Sequence, residues 1–152
     1  MNPMNTTNGI PDDVLHILTC NWVDANGNWS CFANDGFTWR PRNIVLLNAL
    51  PLNAFNSRVR VDIVPVDTSV LLNTLKDLPM HNYKCFIGHP PTSLLLKKYI
   101  PVDCTRGMYT YHSHDDLIIA FVLKTRPSAT GADVNVTLDD LLSYVIVPSP
   151  IL

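Results

Sequence analysis

The densest group of side chains able to do chemistry is Tyr111-His112-Ser113-His114-Asp115-Asp116. Two histidines and two aspartates so close together have the ligand types of a metal half-site, because alternate residues of an extended segment point the same way and can share one ion. His112, His114, Asp115 and Asp116 are thus the candidate metal ligands, and a metal-dependent hydrolase is the chemistry they would support. The preferred expectation is plainer: a polar turn whose Asp and His side chains bond nearby backbone groups, with no metal and no cofactor.

The His-Ser-His triplet resembles that of the JAMM metalloproteases over those three residues. That family adds a downstream Ser and Asp and a Glu as general base, whereas this chain contains no Glu and has Val122 where the Ser would stand. His81, Cys85 and His89 recur every four residues, but Pro90 and the strand-like run Tyr83–Gly88 argue for extended chain. Residues four apart in a strand lie about 13 Å from each other, too far for one ion. No G-x-S-x-G marks a nucleophile, and with 6 glycines there is neither a G-x-G-x-x-G nor a P-loop. The chain is expected not to be an enzyme.

The element that most specifies its own geometry is Leu15–Arg40, expected to be a three-stranded antiparallel β-meander. Asn26-Gly27 and Asp35-Gly36 accept positive φ at both centres of a type I′ turn, and apolar residues flank each. Two-residue turns would set Trp22 opposite Cys31, Asp24 opposite Trp29 and Phe32 opposite Trp39. One face then gathers Phe32, Phe37 and Trp39, which are either covered by another layer or exposed to bind a partner.

Further on, Ser57–Val66 alternates, with Val59, Val61 and Ile63 expected inward and Arg58, Arg60 and Asp62 outward. Asp67, Thr68 and Ser69 offer N-caps for a helix over Val70–Leu78, and Pro90–Ile100 reads as a second helix. Gly107–His112 and Leu117–Lys124 are expected to pair as a hairpin around Ser113–Asp116. Val134–Leu138 reads either as another short strand or as the lead into a helix, which Thr137 with Asp140, resembling a capping box, would open and Leu138, Leu141, Leu142 and Val145 would stripe. The fold class expected is α+β, with the N-terminal meander inside a mainly antiparallel sheet of about seven strands and two or three short helices. Residues 1–13 are expected to be a flexible N-terminal segment, 14–146 a single globular domain, and 147–152 an extended arm ending in the apolar Ile151 and Leu152.

Composition bears on partners. Charged residues make up only 16% of the 152, against 47% apolar, and net charge is -2. A low-charge surface favours association over a solitary life in solution, and no basic tail provides a strong nucleic-acid signature. No apolar run approaches a membrane span, and the polar start lacks a secretory signal. Cys20, Cys31, Cys85 and Cys104 form no CxxC pair and are expected to be reduced, small apolar core residues.

The chain has no Glu and no Gln, yet 14 Asn and 13 Asp. Residues whose codons end in a pyrimidine number 46, against five Lys for the purine-ending set. This points to a genome with third-position pyrimidine bias, more familiar in viruses. The function expected is a non-enzymatic structural or assembly protein of a virus, capsid-, matrix- or virion-associated, acting through self-association in the host cytoplasm or the virion. The alternative is a monomeric accessory module that engages a host protein through Phe32, Phe37 and Trp39.

Overall fold

The computed structural model describes residues 9–19, 22–23, 29–30, 43–50, 52–55, 58–77, 82–100, 102, 104, 107–111, 116–124 and 136–148. Its elements in chain order are α1 (Asp12–Thr19), β1 (Trp22–Val23), β2 (Trp29–Ser30), β3 (Asn43–Leu47), β4 (Val61–Val66), α2 (Thr68–Lys76), β5 (Asn82–Cys85), α3 (Pro90–Lys97), β6 (Asp116–Leu123) and β7 (Leu141–Pro148). Short 3-10 turns occupy Leu52–Ala54 and Leu138–Asp140.

A mixed sheet of five strands in the order β4-β7-β6-β3-β5 organises the chain. β3 runs parallel to both β5 and β6, whereas β7 lies antiparallel to β6 and β4. This replaces the expected mainly antiparallel sheet of about seven strands. Parallel partners must be joined by long crossovers, so nothing local in the sequence announces the pairing. β3 and β6 are near-continuous apolar runs, NIVLL and DLIIAFVL, because strands in the middle of a layered sheet are buried on both faces.

The inner face carries Ile44, Leu46, Leu117, Ile119, Phe121, Val145 and Val147, and buries them against residues of the three described helices. From α1 come Val14 and Leu18; from α2, Leu71, Leu72 and Leu75; from α3, Leu95 and Leu96. Asp67 caps α2, its carboxylate accepting the Val70 N–H at 2.9 Å. The Asp67 N–H in turn donates to the Gly9 carbonyl at 3.0 Å. Gly9 sits at φ +91, and a Cβ there would collide with the Asp67 side chain, so only glycine fits. Buried Thr68 ties α2 to β7 by donating to the Leu141 carbonyl at 3.1 Å and pairing with the Ser143 hydroxyl at 2.6 Å.

The expected meander is corrected at its start. Leu15–Thr19 belongs to α1, because Val14 and Leu18, four apart, form a helical stripe that docks with Ile10 in the inner core. β1 and β2 do pair antiparallel, but as Trp22 with Ser30 and Val23 with Trp29, shifted by one from the expected register and separate from the main sheet. The expected turn residues Asn26 and Gly27 lie outside the described residues. The expected third strand, like Phe32, Phe37 and Trp39, lies outside the described residues.

Three further expectations are corrected. Residues 107–111 form no strand: the Tyr111 N–H donates to the Ala54 carbonyl at 2.7 Å, and β6 takes β3 and β7 as neighbours instead. The expected helix after Thr137 is β7. Asp140 does accept the Thr137 N–H at 2.8 Å and its hydroxyl at 3.0 Å, which closes only a 3-10 turn. Beyond it, Leu141, Ser143, Val145 and Val147 alternate inward, and a place between two strands outweighs the helical spacing of the leucines. Finally, Cys85 and Cys104 form a disulfide, with Cα atoms 4.5 Å apart, instead of staying reduced. Cys104 lies beside Cys85 in an isolated parallel bridge, a proximity that only the crossover through α3 creates. Closing that span of 19 residues contributes about 3 kcal/mol in the chain-entropy account.

Candidate functional site

The outer face of the sheet is also apolar, and its two halves differ. The pairing registers align Ile63 of β4, Ile146 of β7, Ile118 of β6 and Val45 of β3 in one row, and Pro65, Tyr144, Ala120 and Leu47 in the next. Over β3 and β6 this face is closed by Leu50, Ala54, Phe55, Phe86, Tyr109 and Tyr111. Over β4 and the adjoining part of β7 it is more open, although Ile146 is buried. Ile63 is 52% exposed and Leu142 41%, Pro65 is exposed, and Val61, Val122 and Tyr144 are half-buried. None of these six residues is Asp, Glu, Lys, Arg or His.

The sequence expectation for β4 is reversed here. Val64 and Val66 pack against the inner cluster, and Ile63 points to the open side. Ile63-Val64-Pro65-Val66 is apolar at both parities, so a period of two cannot say which side the helices will cover.

At the closed end of the same face stands a buried carboxylate. Asp116, at the head of β6, lies opposite Asn43 of β3 and is 7% exposed. The Asn43 amide donates to one of its oxygens at 2.8 Å, and the Tyr109 hydroxyl donates to the other at 2.8 Å. Tyr109 packs tilted against Phe86 with ring centroids 5.5 Å apart, and Tyr111 likewise against Phe55 at 5.5 Å. The Tyr111 hydroxyl is buried without a hydrogen-bond partner among the described residues. Burial, joined by the bond to Asp116 and its charge, raises the Tyr109 phenol well above its usual range; burial and the same carboxylate raise that of Tyr111. Both phenols keep their protons at physiological pH, and Asp116 is seated on two neutral donors, the Tyr109 hydroxyl and the Asn43 amide.

Of the expected metal ligands, Asp116 is the one described, and its two oxygens are occupied as above. His112, His114 and Asp115 lie outside the described residues, as do Phe32, Phe37, Trp39, Ile151 and Leu152. Among the described residues no group of three or more His, Cys, Asp or Glu comes together in the geometry of a metal site. Sequence reasoning missed Asn43 and Tyr109 as partners of Asp116. It also missed Ile63 and Leu142 as surface residues, the first read as inward and the second as part of a helix stripe. A faint signal existed: Asn43 and Asp116 each open an apolar run.

No protein-family model matches the chain, and no curated protein matches it either. Among solved structures it is similar to B116 of Sulfolobus turreted icosahedral virus, with 13% sequence identity and a TM-score of 0.50. The likeness covers 69% of this chain and 98% of that one, and at such identity it is a likeness of fold. No described helix is long and apolar enough to cross a membrane.

Proposed function

We propose that this chain is a non-enzymatic, virus-encoded structural or assembly protein that works by self-association. The observation that carries this reading is the open half of the outer sheet face, where Ile63, Pro65 and Leu142 are exposed beside half-buried Val61, Val122 and Tyr144. Contiguous apolar area without charge is the surface a protein covers with a partner. A chain with only 16% charged residues has little else to keep copies apart. The pyrimidine-leaning residue usage, and a fold shared with a virus protein, support the viral part of the reading. Host cytoplasm or virion is the location that goes with it.

The test is the mass in solution by size-exclusion chromatography with light scattering over a range of concentration. A defined oligomer that grows with concentration is the expected result. A monomer of 17.0 kDa at every concentration overturns the reading.

A further inference from the structure

β4 is an edge strand: β7 flanks it on one side, and no described strand flanks it on the other. An edge presents unpaired N–H and C=O groups, which natural proteins either block or use. Pro65 blocks the C-terminal end, since proline has no N–H to offer. The N-terminal end is open: pairing with β7 stops at Val61 opposite Pro148, and Arg58, Arg60 and Asp62 around that point are all exposed. No ion pair among the described residues engages Arg60 or Asp62.

We propose that the β4 edge is the contact surface for a second copy of this chain, the two β4 strands pairing antiparallel about a two-fold axis through Val61. This rests on the self-association reading and names its site and geometry. A two-fold axis perpendicular to a sheet brings residues of equal parity opposite one another, so each possible register is centred on one residue. Centred on Val61, Arg60 faces the second copy's Asp62 and Asp62 faces its Arg60, giving two cross-strand pairs of opposite charge. On the other side of the ladder Val61 meets Val61, and Val59 meets Ile63 of the second copy. Arg58 falls opposite Val64, and the ladder ends before Pro65.

Neighbouring registers are worse. Centring on Arg60 sets two arginines face to face, and centring on Asp62 does the same with two aspartates, both unfavourable. Centring on Ile63 brings Pro65 into the ladder, opposite Val61. Charge complementarity therefore selects one register and one occupant. The charges that blunt the edge against other strands become attractive to a copy of themselves. Pairing there also joins the open outer-face strips of two copies, covering Ile63 with Val59.

The experiment uses the full chain and measures mass by light scattering across a concentration series. Arg60→Asp and Asp62→Arg are made separately, each placing like charges opposite in both pairs. Each variant alone is expected to raise the dimer dissociation constant by about tenfold or more. Mixed at equal amounts, the two variants restore opposite charges and are expected to form a heterodimer with near-native affinity. A misfolded chain would not be rescued by mixing, so this arm separates the contact from a folding defect. Single variants that associate as tightly as the parent chain, or a mixture that stays monomeric, overturn the β4 register while leaving self-association itself standing. A parent chain that is monomeric throughout overturns both.

Discussion

The two faces of the five-stranded sheet carry the same kind of side chain and meet different fates. Inside, Leu46, Ile119, Phe121 and Val145 are sealed beneath three helices. Outside, Val45, Ile118 and Ala120 are sealed only as far as Phe55, Tyr109 and Tyr111 reach, and beyond them Ile63 and Leu142 stand in solvent. Hydrophobicity along a strand thus does not by itself say what is core. Burial depends on whether another layer arrives, and among the described residues the outer face is covered most fully over β3 and β6. The more open half adjoins the β4 edge, so the proposed self-association would draw on both.

Substitutions should rank the regions by how completely each is enclosed. On the inner face, Phe121→Ala leaves a cavity where no side chain can collapse, and the expected loss is about 3–5 kcal/mol by chemical denaturation. A loss below about 1 kcal/mol would mean the helix layer relaxes freely, and the contrast between the faces would fail. On the closed part of the outer face, Asp116→Ala strips the Asn43 amide and the Tyr109 hydroxyl of their acceptor. About 1–3 kcal/mol should be lost, from unsatisfied donors more than from lost packing.

Alkaline pH probes the same enclosed tyrosines. Their folded values lie above the ordinary phenol, so the fold holds the proton more tightly than the unfolded chain does. Their contribution is full below about pH 10 and is lost as pH rises through the folded values. Tyr83, which burial pushes up to about 12, adds to the loss in the same direction. The urea midpoint should fall past about pH 10, and Tyr109→Phe should flatten that fall; an unchanged slope would place the alkaline sensitivity elsewhere. The smallest effect on stability belongs to the open half. Ile63→Ser should move stability by no more than about 0.5 kcal/mol, as at an exposed site, while weakening self-association measured by light scattering. If it instead unfolds the chain, Ile63 is core and the outer face is closed throughout.

Much of the local structure was legible. Asp67 does cap a helix, and Pro90 and Pro91 do open one, because caps and N1 prolines act within a single turn. The run Leu117–Leu123 does lie in a buried strand, since an apolar run of that length has few other places to go. The site was less legible. Asp116 drew notice for its neighbours in sequence, whereas its described partners are Asn43, 73 positions away, and Tyr109. Asp140 and Thr137 formed the contact expected of them, yet what followed was a strand.

The sequence by itself determined the helix caps and the apolar runs, because each depends on residues a few positions apart and on sterics that travel with the chain. Tertiary structure alone decided strand order, the parallel pairing of β3 with β5 and β6, the conversion of Leu141–Pro148 into a strand between two others, and the Cys85–Cys104 bond. It also decided which parity of β4 would face water. Those outcomes depend on contacts between segments far apart in the chain, and a pattern with a period of two reads the same whichever face is later covered.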